Sequence, residues 1–590
     1  MTCRAFVVFS CIASMTCAVA GKSGADDAGA KLIAESKAVI DTFSEGTDYK
    51  ASLAKLDAIF DRAFESVSPR KGDAFRAIAL HRRLAKLLNG AAPSMRPMLL
   101  KAFRDQPAFM HALLFAIKPQ DNPTKVTAVI DQLVRRNQLA RFPNLAAAVC
   151  LVHDEPLTRQ IVENKTTAPA PVAIFDYYAA NAKKMAFDPG RAPVTLLIWV
   201  VDFTGSVDEL KWVLTRYRGR QSLGKVYFEI EYDLDHLRRG VPKRVTQEGY
   251  TLPNIARYGG VCADQAYFAM SVGKAIGIPS TMAKGERSQV FHAWVGFIRQ
   301  QNRTVVWDFN TGRYAAYKTL RGMVTDPQTR QLIPDSYVSL TAGAMTISNR
   351  ERWHAIALTD ALQHQISKSG AQGNSVSQRW IEALEAALLL NAANADIWSV
   401  VGDASEKGLL SLSLKRDIAN LLMKVAGKRF PDFTLAVLKR LIVSIEGTAE
   451  QERIWSSAGR LFKSRPELMA EIMMARAEMW KKAGDDRRAG SIYSDVVIRY
   501  ANSGPFVVEA VKQTEQQLMK LDRAKSVPKL YENCLNRTEK PGNYSVQFRE
   551  LSNWYRVATL YQQWLEKNGE TRKAGILAGI IMKELEKDKK

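Results

Sequence analysis

Two regions with helical hydrophobic periodicity flank a middle third of mixed pattern, and this arrangement limits the folds open to the 590-residue chain. Over residues 21–153, apolar side chains recur every three or four positions, as at Leu53, Leu56 and Phe60. The same spacing returns from about Gln378 to the C terminus. The pattern predicts an α+β chain that is predominantly helical, with helical domains on both sides of a central core of helix and antiparallel sheet.

The composition is that of an ordinary globular protein. Hydrophobic residues make up 47% and charged residues 24% of the chain, which excludes disorder as its main state. A content of 6 cysteines excludes a disulfide-dense scaffold. No apolar run reaches the roughly 18–20 residues of a membrane span, so we expect no transmembrane segment. The longest apolar run, residues 194–201, is predicted to be a buried strand.

The N-terminal residues have the features of a secretory leader. Arg4 is the only charged residue before a long apolar stretch, and Ala18-Val19-Ala20 forms a small-x-small cleavage site. We therefore predict a signal peptide and an exported protein, periplasmic or secreted. A lipid anchor on Cys11 or Cys17 is an alternative, but the residues that precede each cysteine fit such an anchor poorly.

The chain is strongly basic, with 83 Lys and Arg against 60 Asp and Glu and a net charge of +23. No nucleic-acid-binding motif accompanies this charge, so we expect no nucleic-acid partner. In an exported protein the charge would meet anionic envelope polymers, lipid headgroups or acidic substrates. Alternatively it is spread over solvated helix faces, because no basic run is long. The densest cluster is Arg238-Arg239 with Lys243-Arg244.

Changes in hydrophobic pattern and composition divide the chain into five segments. The Thr-, Ala- and Pro-rich run 166–171 begins a predicted linker. The predicted segments are a signal peptide (1–20), an N-terminal helical domain (21–165), a linker (166–190), a central core (191–345) and a C-terminal helical repeat domain (350–590).

The central segment mixes strands and helices. Residues 192–203 and 226–232 are predicted to be strands, and residues 208–216 a helix. Residues 290–298 and 304–309 alternate in polarity and flank a polar turn, so we predict that they form an antiparallel hairpin.

The C-terminal segment contains a repeated spacing of small and large residues. The two matched sets are Trp480, Gly484, Ala489, Tyr493, Val496 and Leu565, Gly569, Ala574, Ala578, Ile581. Small residues fall where two antiparallel helices approach each other, and large residues fill the space between them. The spacing resembles that of tetratricopeptide repeats, which implies a surface for a protein partner. A generic helical bundle is the alternative.

The residues with a chemical signature lie between Tyr258 and Tyr314. Gly259-Gly260-Val261-Cys262 precedes a predicted helix that starts at Asp264, so Cys262 lies at or just before a helix N terminus. The partial positive charge there favours thiolate over thiol. Two glycines let the chain turn sharply and leave room for a substrate. Once the leader is removed, three cysteines remain, so at least one thiol is unpaired.

A histidine and an aspartate on the predicted hairpin complete the pattern. A turn near Gln300 would place His292 opposite Asp308, with Cβ atoms about 4.5–5.5 Å apart. At that distance the carboxylate accepts a hydrogen bond from one imidazole nitrogen, and the other nitrogen is available to take a proton from the Cys262 thiol. We therefore predict that Cys262, His292 and Asp308 are the catalytic residues.

This combination resembles the transglutaminase-like superfamily, whose core is papain-like. The resemblance covers about a quarter of the chain, from around residue 194 to around residue 314. The matching residues are Gly260-Val261-Cys262 with Asp264, Gly277-Ile278-Pro279, His292-Ala293-Trp294 and Asp308.

The resemblance implies thiol acyl chemistry. Cys262 would attack an amide carbonyl, His292 would act as general base and then acid, and Asp308 would hold the imidazole tautomer. The backbone N–H of Cys262 is the first expected oxyanion donor. The family usually supplies the second donor from an upstream side chain, for which Gln247 is the candidate and Tyr258 the alternative.

The resemblance also implies a substrate cleft and a function. Gly260, Trp294 and Tyr258 are candidate substrate-binding residues. The leading function is an exported cysteine-dependent acyl hydrolase or peptidase that acts on protein or peptide amides, with no cofactor and no metal. Hydrolysis is the default because water is abundant and no feature selects an amine acceptor. The alternatives are an amine-transferring transglutaminase and a non-catalytic envelope scaffold that binds partners through its helical repeats.

Overall fold

The computed structural model describes residues 24–587 except 45, 160–167, 288–289, 302–303, 315–320, 370–374, 504–505, 544–548 and 551. The described chain is mostly helical and includes one small antiparallel sheet of five strands, so the predicted broad α+β class is confirmed. The predicted signal peptide lies outside the described residues.

The N-terminal region is a stack of seven helices within the described ranges. Three of them begin at a proline, a residue that is well suited to the first helical position because its missing N–H has no partner there. The helices are α1 (Gly24–Asp41), α2 (Tyr49–Ser66), α3 (Gly72–Gly90), α4 (Arg96–Asp105), α5 (Pro107–Ala116), α6 (Pro123–Leu133) and α7 (Pro143–Val152).

The predicted linker contains a packed helix, α8 (Pro171–Ala180), and the linker prediction is wrong for these residues. The Tyr177 hydroxyl donates to the carbonyl of Ala275 at 2.7 Å, and the Tyr178 hydroxyl donates to that of Lys274 at 3.0 Å. The prediction failed because Pro171 was taken as linker punctuation, whereas it occupies the first position of a helix.

Two segments predicted to be strands are helical. The run 194–201 forms α9 (Val194–Val201), and the segment 226–232 contains most of α11 (Gly224–Phe228). Seven of the eight side chains of α9 are buried. A run that is apolar on every side does not distinguish a buried strand from a buried helix, which explains the wrong prediction.

The remaining helices of the central region lead up to the candidate site. The predicted helix 208–216 is confirmed as α10, which a Ser206 capping box starts. These helices are α10 (Val207–Tyr217), α12 (Leu234–Arg239), α13 (Arg244–Gln247), α14 (Leu252–Tyr258) and α15 (Cys262–Ala275).

The sheet has the strand order β3-β2-β1-β4-β5 and is antiparallel throughout. The predicted hairpin is confirmed as β2 and β3, and α15 packs against β1 and β2. In the hairpin, Gln301 pairs with Thr304 and Phe297 pairs with Asp308. The strands are β1 (Ser280–Arg287), β2 (Val290–Gln301), β3 (Thr304–Asp308), β4 (Gly322–Thr325) and β5 (Leu332–Pro334).

The C-terminal region is built from successive helices. They are α16 (Asp335–Leu340), α17 (Asn349–Lys368), α18 (Gln378–Asn391), α19 (Ala395–Glu406), α20 (Leu412–Val425), α21 (Pro431–Ile442), α22 (Thr448–Leu461), α23 (Pro466–Lys482), α24 (Asp486–Arg499), α25 (Phe506–Lys520), α26 (Val527–Leu535), α27 (Asn553–Lys567) and α28 (Thr571–Glu586).

The repeated spacing corresponds to two helical hairpins, α23–α24 and α27–α28. Gly484 and Gly569 occupy the turns with φ of 82° and 79°, a left-handed conformation that favours glycine. The small residues Ala489 and Ala574 are buried on the second helix of each hairpin. The two patterns therefore mark the same local structure.

One continuous hydrophobic core runs through much of the chain, with buried members from Leu32 to Met479. It joins residues of all three predicted domains. Polar contacts strengthen the junction, since the Arg83 guanidinium binds both carboxylate oxygens of Asp360 at 2.7 and 2.8 Å. Within the described ranges, no helix is both long and apolar enough to cross a membrane.

Candidate active site

Cys262 is the first residue of α15, which begins two residues before the predicted start at Asp264, so Cys262 lies at the helix N terminus as expected. The turn before it requires both glycines. Gly259 has a φ of 75°, and a Cβ there would lie 2.4 Å from the Glu231 carbonyl oxygen. A Cβ on Gly260 would lie 2.4 Å from the Cβ of Asp264. The double glycine therefore lets the chain pass close to its neighbours and present the thiol at the helix start.

A buried ion pair fixes the start of α15. Asp264 is fully buried and accepts a hydrogen bond from the Val261 N–H at 2.7 Å. Its carboxylate oxygens lie 2.9 and 3.0 Å from the Lys243 ammonium, and the Tyr250 hydroxyl donates to it at 2.6 Å. These contacts tie α13 and the loop before α14 to the turn that carries Cys262.

The thiol faces strand β2 and a tyrosine. The backbone N–H groups of Ala293 and Ala263 and the Tyr232 hydroxyl lie near the Cys262 sulfur, where they act against the effect of burial on the pKa of the thiol. Burial raises the pKa of the Tyr232 hydroxyl, and the nearby backbone N–H of Cys262 acts in the opposite direction. Ala293 directly follows His292, so the strand that lies near the thiol also carries the histidine.

His292 is buried, and a backbone carbonyl sets its tautomer. Its Nε2 lies 2.6 Å from the carbonyl oxygen of Gly312. Because a carbonyl oxygen only accepts hydrogen bonds, Nε2 must carry the proton, and the lone pair of the neutral ring is on Nδ1. The Tyr314 ring stacks on the imidazole with centroids 4.3 Å apart. Gly312 therefore supplies the orientation that was predicted to come from Asp308.

Gly312 itself is held in a constrained position. It has a φ of 77°, and a Cβ there would lie 2.4 Å from the Tyr227 ring. The Tyr227 hydroxyl donates to the carbonyl of Ala293 at 3.0 Å. Tyr227 therefore packs against the residue that orients His292 and binds the strand that faces the thiol.

Asp308 does not face His292, and the predicted contact is wrong. The β2–β3 turn lies beyond Gln300, so Asp308 pairs with Phe297 instead. Phe297 is five residues from His292 on β2, about 16 Å along the strand, and an odd separation puts the side chains on opposite faces of the sheet. The Asp308 carboxylate accepts from the Arg299 Nε at 2.8 Å.

The thiol is not activated at rest in the way that its helix position predicts. Burial raises the pKa of the Cys262 thiol, although the Ala293 and Ala263 N–H groups act in the opposite direction. Burial also lowers the pKa of the His292 imidazole, against the effect of its hydrogen bond to Gly312. Both shifts favour the uncharged forms, so the resting pair is a neutral thiol and a neutral imidazole.

The predicted second oxyanion donors lie elsewhere. Gln247 is exposed at the end of α13, and Tyr258 lies against the guanidinium groups of Arg244 and Arg257. Instead, the Tyr232 hydroxyl lies near Cys262. Sequence reasoning missed Tyr232 because its place depends on an isolated bridge to Gly260, which no local pattern signals.

Trp294, a predicted substrate-binding residue, belongs to the core. Its side chain is fully buried, and its ring fills the space beside Gly285 and Gly322, where a Cβ would lie 2.3 and 2.6 Å away. The Arg313 guanidinium lies 4.6 Å from the ring centroid. A side chain enclosed in this way cannot contact a substrate, so its role is to support the sheet behind His292.

The three cysteines of the described chain are free thiols. Cys150 and Cys534 are buried, whereas Cys262 is partly exposed. Burial raises the pKa of Cys534 to about 12 and that of Cys150 further. Across the ranges that the structure describes, no group of three or more His, Cys, Asp or Glu side chains is arranged to hold a metal ion.

Comparison with known proteins identified no relative of this chain. No family model, no curated protein and no solved structure matches this chain. The argument for function therefore depends on the geometry around Cys262.

The position of Asp308 leads to a prediction. We expect Asp308→Asn to change kcat/KM by less than about threefold, because the carboxylate contacts Arg299 and not His292. The loss of stability should be at most about 1 kcal/mol, as for a partly exposed ion pair. Steady-state kinetics and urea unfolding measure the two effects, with Arg299→Gln as the matched control. A loss of about 100-fold in Asp308→Asn alone would return Asp308 to the catalytic residues.

Proposed function

We propose that the protein is an exported cysteine-dependent acyl hydrolase or peptidase, of the transglutaminase-like kind, that acts on peptide or protein amides. The observation that carries the proposal is the position of the Cys262 thiol at the start of α15, against the β2 backbone beside His292. Because the Gly312 carbonyl holds the proton on Nε2 of His292, Nδ1 is the basic atom.

In the proposed reaction, His292 acts first as a base. Its Nδ1 takes the proton of the Cys262 thiol as the sulfur attacks the substrate carbonyl carbon. The tetrahedral intermediate then expels the amine, which takes that proton from His292, and a thioester remains. Water attacks the thioester in the same way, releases the acid and restores the thiol. A neutral Cys262 thiol and a neutral His292 imidazole are consistent with this sequence of steps, since the proton moves only when the substrate is attacked.

Tyr232 replaces Gln247 as the proposed second oxyanion donor. Its hydroxyl lies near both the backbone N–H and the sulfur of Cys262, and the oxyanion of a substrate carbonyl attacked by that sulfur would form in the same region. In the proposed intermediate the oxyanion accepts from the Cys262 N–H, and the Tyr232 hydroxyl turns to donate to it.

The second candidate function is a non-catalytic scaffold. Two observations favour it: the raised pKa of the Cys262 thiol, and the helical hairpins α23–α24 and α27–α28. Stacked hairpins form extended surfaces, so a protein partner would bind there. An anionic envelope polymer is a second proposed partner, because of the net charge of +23.

Product analysis decides between these functions. The purified protein is incubated with a peptide library, with and without a primary amine, and the products are identified by mass spectrometry. We expect hydrolysed peptides that are absent when the protein is first alkylated with iodoacetamide. Amine adducts in place of acids would identify a transglutaminase. Unchanged peptides in every condition would favour the scaffold.

A further inference from the structure

Two arginine side chains lie against one tyrosine just before the active-site glycines. The guanidinium carbons of Arg244 and Arg257 lie 5.2 and 5.1 Å from the ring centroid of Tyr258. The distance between the two guanidinium carbons is therefore at most the sum of these two distances, about 10 Å. Both arginines are exposed, and Tyr258 is half-buried. The ring thus holds two positive charges at the surface, at most about 10 Å from each other.

This arginine pair contacts a residue that lies close to Cys262 in the chain. Tyr258 is four residues before Cys262, so their Cα atoms are at most about 14 Å apart. The backbone beside Arg244 is held as well, because the adjacent Lys243 binds Asp264 at 2.9 Å. Because the guanidinium carbons lie about 5 Å beyond the Tyr258 ring centroid, a substrate attacked at Cys262 would reach the arginine pair within about eight extended residues.

The positive charge of the pair is not neutralised by any carboxylate of the described residues. Neither Arg244 nor Arg257 forms an ion pair within those ranges. The neighbouring basic side chains do have carboxylate partners. Lys243 binds Asp264, and Arg239 binds Asp235, each at 2.9 Å. Two like charges held near each other without a counterion create a local positive potential that attracts an anion.

We propose that Arg244 and Arg257 bind a carboxylate of the peptide substrate, within about eight residues of the amide that Cys262 attacks. This inference depends on the proposed acyl hydrolase function. A guanidinium group binds a carboxylate through two parallel hydrogen bonds, which makes arginine more selective than lysine for this group. The carboxylate comes from an acidic side chain or from the C terminus of the peptide.

Matched peptides test the proposal and separate the two carboxylate sources. Cleaved peptides are resynthesised with Glu or Gln at each position near the scissile amide, and with a free or amidated C terminus. In the wild-type protein we expect the preferred carboxylate to improve kcat/KM by about 10- to 100-fold, mainly through KM. Arg244→Gln with Arg257→Gln should remove this preference and leave the turnover of neutral peptides unchanged.

The matched control is a second pair of exposed arginines that also lie on aromatic rings. Arg429 lies 5.1 Å from the Phe430 centroid, and Arg488 lies 3.8 Å from that of Trp480. Arg429→Gln with Arg488→Gln removes the same charge from the C-terminal helices. We expect this variant to keep the wild-type preference, and an equal loss in both double variants would overturn the proposal.

Binding to Cys262→Ala, measured by fluorescence anisotropy, separates this proposal from the proposed function. We expect the carboxylate peptide to bind at least about tenfold more tightly than its neutral match at low salt, and less so at high salt. Carboxylate-dependent binding without turnover by the wild type would overturn the hydrolase and support the arginine site. Equal turnover of both peptides would overturn the arginine site alone. Equal binding without turnover would overturn both.

Discussion

Cys262→Ala is expected to abolish turnover, and His292→Ala is expected to reduce it by at least about 10³-fold. The first variant removes the atom that would form the proposed thioester, and no other thiol among the described residues is exposed to a substrate. The second removes the proposed base, and a neutral thiol whose pKa burial has raised would not ionise readily without it.

Steady-state kinetics on a cleaved peptide and thermal unfolding measure these effects together. The stability of Cys262→Ala should remain close to that of the wild type, because the lost side chain is small and partly exposed. Cys150→Ala is the control for removing a thiol, and it should keep its turnover since Cys150 is buried in α7. Wild-type turnover in Cys262→Ala would place the chemistry elsewhere.

Lys243→Met is expected to destabilise the start of α15 by about 3–5 kcal/mol, because it leaves the fully buried Asp264 carboxylate without its cation. Turnover should fall as well, since the same carboxylate holds the turn that presents Cys262. Hydrogen–deuterium exchange of the α15 amides and the urea unfolding midpoint measure the effect.

Two further variants test this explanation. Lys211→Met removes an exposed lysine that lies 3.2 Å from Asp208, and it should cost at most about 1 kcal/mol. Adding Asp264→Asn to Lys243→Met removes the unpaired charge and should recover part of the lost stability. Unchanged α15 exchange in Lys243→Met would show that the ion pair does not hold the helix start.

Local signals in the sequence were sufficient to predict the helix start at Cys262 and the hairpin of β2 and β3. Two glycines before a cysteine, followed by a helical run, leave few conformations for the turn. Alternating polarity around a polar turn similarly indicates two strands. Both features depend on neighbouring residues, and the structure contains both.

The partners of His292 were beyond the reach of the sequence, because they depend on register. Moving the centre of a turn by a few residues changes every cross-strand pair. Each one-residue shift in register also moves a side chain to the other face of the sheet. This shift separates Asp308 from His292 and brings the Gly312 carbonyl to the imidazole. Tyr232 reaches Cys262 through contact with Gly260, and such pairing between distant segments leaves no local pattern.

The Gly312 carbonyl has a consequence for how this site would respond to mutation and to evolution. The orienting oxygen belongs to the backbone, so truncating side chains to alanine would identify a dyad of Cys262 and His292 rather than a triad. By contrast, Gly312→Ala would act through a clash with Tyr227. A carbonyl is also uncharged, so it stabilises an imidazolium less than a carboxylate would. In the proposed hydrolase, a thiol that stays neutral until a substrate arrives would also resist oxidation, which acts on the thiolate.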